Sequence, residues 1–151
     1  MTGPLVFVAI ALAGGVGAAL RLVVDGIVRS AIAARTRVDS APRRLPLGTA
    51  LINVTGSFAL GLLTGLASTG GISHEVLLVA GGGLIGGYTT FSTASVETAR
   101  LLADGRRGAG ALNVVGVLVL SVGAAVLGVA IGGLSLIHIS EPTRRQKKKK
   151  K

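Results

Sequence analysis

Four stretches of membrane-spanning length, residues 4–24, 47–68, 76–102 and 109–133, constrain this chain more than any other feature. An α-helix crosses the hydrocarbon core of a bilayer with roughly 20 apolar residues. The first stretch, "PLVFVAIALAGGVGAALRLVV", carries one charge, Arg21, near its end, and the second and fourth carry none. Inside hydrocarbon every backbone amide must be paired within its own segment or in a closed barrel, so apolar runs of this length predict helices. The spacing therefore predicts an all-α membrane protein of four transmembrane helices with both termini on one side. A cleaved leader is not expected, because no basic segment precedes the first apolar run. Half of the 151 residues are hydrophobic, 24 are glycine and none is cysteine, which excludes disulfides, thiolate metal sites and cysteine nucleophiles.

The formal charge of +10 is concentrated at the end. The segment "SEPTRRQKKKKK", residues 140–151, holds seven Lys/Arg and one acid, while the remainder holds nine against five. The body is only mildly basic, and no nucleic-acid partner is expected. Residues 135–151 break from the preceding composition, and "SLIHISEPTR" followed by lysines resembles the translated adapter and A-rich ends of sequence assemblies. They are set apart from the fold as a non-native tail; a genuine basic tail on anionic lipid is the alternative. In the body, positive charge lies in loop one (Arg29, Arg35, Arg37, Arg43, Arg44) and loop three (Arg100, Arg106, Arg107), with none near His74. Positively charged loops are retained in the cytoplasm, so both are expected there and both termini outside.

Polar side chains inside the spans are the candidates for function, with helix packing as the competing explanation. In span two, Ser57 lies about 40° and Thr64 about 20° around the helix from Asn53, one narrow stripe. Gly61 and Gly65 form a GxxxG pair suited to close helix approach. Arg21 either snorkels to the interface or attracts anions into a vestibule. Asn113 and Ser121 in span four are about 80° apart, too wide for a clean stripe.

Span three contains "GGGLIGGYTTFSTASVE", residues 81–97. Gly81, Gly83 and Gly86 fit GxGxxG, but that fingerprint requires a strand before it and a βαβ unit around it. The apolar flanks "VLLVA" and "TARLL" instead make one membrane-length element. The stretch reads as a discontinuous helix in which Gly86 and Gly87 ease departure from helical geometry, permitted where backbone is buried or lines a watery cavity. Such a break frees carbonyls for a hard cation, while Thr89, Thr90, Ser92 and Thr93 offer hydroxyls, and Phe91 a positive ring edge, to an anion.

With these residues in place the chain resembles the CrcB/Fluc family of fluoride channels over nearly everything from span one to span four. The motifs are "GGVGAALR" (14–21), "PLGTALINVTGSFALG" (46–61) and "GGYTTFST" (86–93) followed by Glu97. The resemblance implies a passive, non-enzymatic fluoride channel in the cell membrane that exports cytoplasmic fluoride and relieves its toxicity. It implies an antiparallel, dual-topology dimer with two pores and a central structural, untransported sodium ion held by the carbonyls of Gly86 and Thr89. Asn53, Phe91, Thr90, Ser92 and Ser121 would line the pores and Arg21 the vestibule. The family typically has a second phenylalanine three residues after the first, where this chain has Ala94. With the one-sided arginines, this leads to an expected heterodimer with an inverted paralogue, against the simpler homodimer. The rival is a small multidrug-resistance-type, proton-coupled exporter, which needs a titratable carboxylate in the membrane interior. Asp25 is expected at a helix end, Glu97 beyond the hydroxyl cluster, and aromatics amount to 3%.

Overall fold

The computed structural model describes residues 3–34 and 45–148, with side chains as far as Leu134. Loop-one residues Arg35, Arg37, Asp39, Arg43 and Arg44 lie outside the described residues, as do the side chains of the tail. Among the described residues the secondary structure is entirely helical. The elements are α1 (Gly3–Ala34), α2 (Leu47–Ser68), α3 (His74–Val76), a π-helical stretch (Leu77–Ile85), α4 (Gly86–Tyr88), α5 (Phe91–Ala103) and α6 (Arg107–Lys148). Four helical lengths, Gly3–Ala34, Leu47–Ser68, His74–Ala103 and Arg107–Leu134, are long and apolar enough to cross a membrane.

α1 continues ten residues beyond the expected span. No proline interrupts residues 25–34, and Asp25 accepts a 2.8 Å hydrogen bond from Arg29 Nε four residues on, an ion pair that supports one more helical turn. At 1.5 Å per residue α1 is about 48 Å long, more than hydrocarbon alone requires. α6 likewise runs through Lys148 without interruption. Two helix ends are closed by glycines with φ of 78° (Gly70) and 73° (Gly105). The following amides, Gly71 N–H and Arg106 N–H, donate to Leu66 and Leu101 carbonyls at 2.8 and 2.9 Å, closing the Schellman pattern that needs a left-handed residue.

Packing rests on small residues. Among the described residues only Ile52, Ile85 and Leu101 are buried large hydrophobics, while Phe7, Leu12, Leu22 and Val126 are among many left exposed. Just 6% of the most apolar window of α1, and of α6, is buried. A water-soluble fold could not tolerate this; in lipid it costs nothing, and helix association depends on close contact. α2 and α6 make the largest helix pair. A Cβ added at Gly61 or Gly65 would collide with the Ala125 or Val129 carbonyl, and one at Gly128 or Gly132 with the Phe58 or Leu62 carbonyl. Span four thus carries its own GxxxG at 128 and 132, which interlocks with the one at 61 and 65. α1 packs on the π-helical stretch and α4, where Gly17 abuts the Leu84 carbonyl and Gly87 the Gly14 backbone.

This gives a paired test. Gly17→Ala should lower the thermal midpoint in detergent, since overpacking against backbone costs about 1–3 kcal/mol. Gly15→Ala, facing open space, should leave it unchanged or raise it slightly through helix propensity. Equal midpoints for the two variants would refute the close-approach assignment.

The helical path is interrupted at Thr89 and Thr90, which have ψ of 160° and 119°. The glycines expected to make the interruption do not: Gly86 is helical at φ −59°, ψ −41°, and Gly87 lies within α4. The missing side chain of Gly87 serves contact with Gly14 of α1 instead, and the turn away from helix falls on two β-branched residues suited to extended geometry.

Candidate functional site

The Thr90 peptide is the centre of the site. In a continuous helix its N–H would donate to the Gly86 carbonyl. Here it donates to Asn53 Oδ1 at 2.8 Å, while Asn53 Nδ2 donates to the Thr90 carbonyl at 2.9 Å. One amide side chain therefore pairs both backbone groups of Thr90, as a neighbouring strand would. Both residues are buried, at 9% and 7% exposure, where an unpaired peptide group would be costly. The Gly86 carbonyl is correspondingly released from its usual i+4 donor. Asn53 keeps one Nδ2 hydrogen beyond this clamp.

Thr90 also starts α5. Its hydroxyl accepts from Thr93 N–H at 3.2 Å as an N-cap, donates to Thr93 Oγ1 at 3.1 Å and lies 3.2 Å from Ser92 Oγ. Thr89 closes the preceding segment, donating from both N–H (2.9 Å) and Oγ1 (3.1 Å) to the Ile85 carbonyl. Gly56 has no side chain because Tyr88 and Thr89 occupy that space. Tyr88 Oη is 3.1 Å from Thr55 Oγ1, a second tie between α2 and this region.

A groove of about 390 Å³ opens beside the clamp. Asn53 and Ser57 of α2, Thr89, Thr90 and Phe91 at the interruption, Ala94, Ser95 and Thr98 of α5, and Asn113, Val117 and Ser121 of α6 line it. Phe91 stands at its rim, 88% exposed. On the far wall Asn113 Nδ2 donates to Thr98 Oγ1 at 2.9 Å, and Thr98 Oγ1 to the Ala94 carbonyl at 2.8 Å. Ser121 Oγ is buried without a hydrogen-bond partner, leaving a donor aimed at nothing in the chain itself.

The groove brings together Asn53, Thr90, Phe91 and Ser121 of the expected pore residues. Ser92 is exposed and reaches it only through Thr90; Arg21, on α1, is not among its lining residues. Thr64 leaves the expected stripe: it is exposed, and its hydroxyl donates to the Leu60 carbonyl of its own helix at 2.8 Å. Asn113 and Ser121 face the same groove despite their angular separation, because its wall follows α6 through two turns at i, i+4 and i+8. Thr98, Ser95 and Asn113 went unassigned from sequence; hydroxyls two and three positions apart in span three, with an asparagine at the start of span four, were the signal. Glu97 does not simply trail the hydroxyl cluster: its side chain is 15% exposed and stands 3.8 Å from Arg29 of α1. Among the described residues no group of three His, Cys, Asp or Glu side chains converges as a metal site. Any cation here would rely on carbonyls, and the freed Gly86 oxygen is of the kind a hard cation takes.

Known proteins match this chain over most of its length. The family model described as CrcB-like protein, Camphor Resistance (CrcB), matches residues 8–129, from α1 to the groove-lining part of α6. A fluoride-specific ion channel FluC 1 from Leifsonia xyli subsp. xyli is 50% identical over 133 residues, 88% of this chain and 90% of that protein. Fluoride-specific ion channel FluC 2 proteins from Cutibacterium acnes and Mycolicibacterium paratuberculosis are each 44% identical, over 82% and 85% of this chain and 94% of their own lengths. The match runs through the Asn53–Thr90 clamp and every helix that lines the groove, and on it the chain belongs to the CrcB family.

Proposed function

We propose that this chain is a subunit of a fluoride-selective passive channel that lets cytoplasmic fluoride leave across the cell membrane. The observation that carries the reading is the groove: clustered amide and hydroxyl donors, an unpartnered Ser121 hydroxyl and a rim phenylalanine, with no charged side chain among its lining residues. Fluoride is small and strongly hydrated. A selective path must replace its water with closely placed donors, yet a fixed cation would hold it too long. The spare Asn53 hydrogen, the Ser121 hydroxyl and the positive edge of Phe91 supply such partners. No proton need move, which distinguishes this path from a proton-coupled exporter, and the family relationship supports the channel.

The groove is open on one side, and Phe91 is exposed at that opening. A second, inverted copy would close it, making an antiparallel dimer in the lipid membrane. In that arrangement the carbonyls of Gly86 and Thr89 from both copies would hold a structural sodium ion. When bound, sodium would supply a fixed positive charge at the centre of the dimer. One chain offers too few of these oxygens, and the release of the Gly86 carbonyl by the Asn53 clamp supports its participation. Ala94 lines the groove where the wider family has a phenylalanine, and a partner bearing that ring would complete one path better than a second copy.

Fluoride-electrode efflux from liposomes, with the chain alone and with an inverted paralogue, tests the reading. Fluoride efflux without chloride efflux is the expected result, and its absence in both preparations would refute the channel. Robust efflux from the chain alone would refute the need for a different partner. Ser121→Ala should reduce efflux several-fold while leaving stability unchanged or raising it by about 1 kcal/mol, because a buried orphan hydroxyl is removed. Undiminished efflux would exclude Ser121 from the path.

A further inference from the structure

Away from the groove lining, a charged node joins three helices. Arg29 of α1 donates through Nε to Asp25 Oδ2 at 2.8 Å and approaches Glu97 Oε1 of α5 through a terminal nitrogen at 3.8 Å. The Asp25 carboxylate also rests on the first turn of α2 at Gly48, where a Cβ would collide with Oδ1. That turn has no side-chain cap of its own, since its N-cap is Pro46. Free amides and the helix dipole there favour a carboxylate. Asp25 therefore has two sources of compensation, and Glu97 is less well served. The buried Thr49 of α2 faces its carboxylate, yet Oε2 is buried without a hydrogen-bond partner. The groups facing Glu97 are Arg29 and Asp25 from α1, Thr49 from α2 and Arg100 from α5 itself.

The node is close to the groove. Glu97 is three residues from Ala94 and next to Thr98, both lining residues, and Thr49 is one turn before Asn53 on α2. Side chains three or four apart on a helix are roughly 5–6 Å apart. An uncompensated carboxylate beside the lining residues acts on an anion in the groove, because charges interact more strongly at the low effective dielectric of a protein interior than in water.

We propose that Arg29 is a positioning residue for conduction: its guanidinium, shared between Asp25 and Glu97, offsets a buried carboxylate that would otherwise repel the anion from the end of the groove. This rests on the fluoride-channel reading. Arg29 touches neither groove nor anion and acts through Glu97 alone. Its side chain is 66% exposed, and its nitrogens meet the two acids at 2.8 and 3.8 Å.

The test is fluoride efflux from liposomes containing the full chain, with whatever partner the wild type requires, measured across a pH series. The leak of neutral hydrogen fluoride through protein-free vesicles is subtracted at each pH. Arg29→Gln should lower efflux about tenfold at neutral pH, equivalent to about 1.4 kcal/mol. The loss should shrink as the pH falls and Glu97 takes up a proton. Arg29→Lys should retain most of the flux, and the double variant Arg29→Gln with Glu97→Gln should recover it and lose the pH dependence. Efflux from Arg29→Gln equal to wild type at every pH overturns the proposal. So does a loss that neither acid nor Glu97→Gln relieves, since that marks a purely structural role. A wild type that carries no fluoride overturns the channel reading itself, which separates the two failures.

Discussion

Asn53→Ala should abolish fluoride efflux, by about a hundredfold or more, and should also destabilise the protein. The side chain makes two buried hydrogen bonds, at 2.8 and 2.9 Å, to one peptide. Truncation leaves the Thr90 N–H and C=O unpaired in an apolar setting, at about 1–3 kcal/mol each. The chain can relieve part of this by rewinding, with Thr90 N–H returning to the Gly86 carbonyl, but that erases the extended pair at 89 and 90 and moves Phe91. Asn53→Asp is expected to fail as well: a carboxylate can accept from Thr90 N–H but cannot donate to the Thr90 carbonyl, and it brings a negative charge into an anion path. Size-exclusion profiles, thermal midpoints and efflux measured on the same preparations decide the matter. Near-normal efflux from either variant would refute both the clamp and the pore assignment of Asn53.

Phe91→Ala should separate function from folding. The ring is 88% exposed within the chain, so its loss should change the stability of the subunit by less than about 0.5 kcal/mol. Efflux should nevertheless fall at least about tenfold, because the positive ring edge at the groove rim is lost. Phe91→Leu, which keeps bulk and apolarity without a ring quadrupole, should fall nearly as far. If Leu restores full efflux, the rim needs volume and not an aromatic edge; if Ala conducts normally, Phe91 is no part of the path.

The four spans were legible because their signal is length and apolarity, which lipid enforces on each segment separately. Asn53 and Thr90 stood out as polar side chains in hydrocarbon, and Phe91 as the ring beside the hydroxyl cluster. Their partners were not. That Asn53 reaches Thr90, 37 residues away, depends on how α2 docks against the third span, and no local pattern encodes it. The same limit explains Gly87, read with Gly86 as the site of the interruption when its use is contact with Gly14. A glycine's missing side chain serves flexibility and close approach equally well, and only the neighbour decides. Thr64 shared an angular stripe with Asn53 but bonded to its own helix, as threonine readily does. Asn113 and Ser121 failed a single-helix criterion and met in a groove walled by three helices.

The dependence of Thr90 on a distant amide also sets an order of events during biogenesis. A third span entering the bilayer before α2 is in place has no external partner for that peptide, and lipid offers none. The segment is therefore most stable as one unbroken rod with Thr90 N–H bonded to Gly86, a form that inserts like any other apolar helix. Arrival of Asn53 exchanges that internal bond for the clamp, and only then do the freed carbonyl, the redirected α5 and the groove come into existence. On the fluoride-channel reading the conducting geometry is thus a product of assembly, absent until α2 docks against the third span.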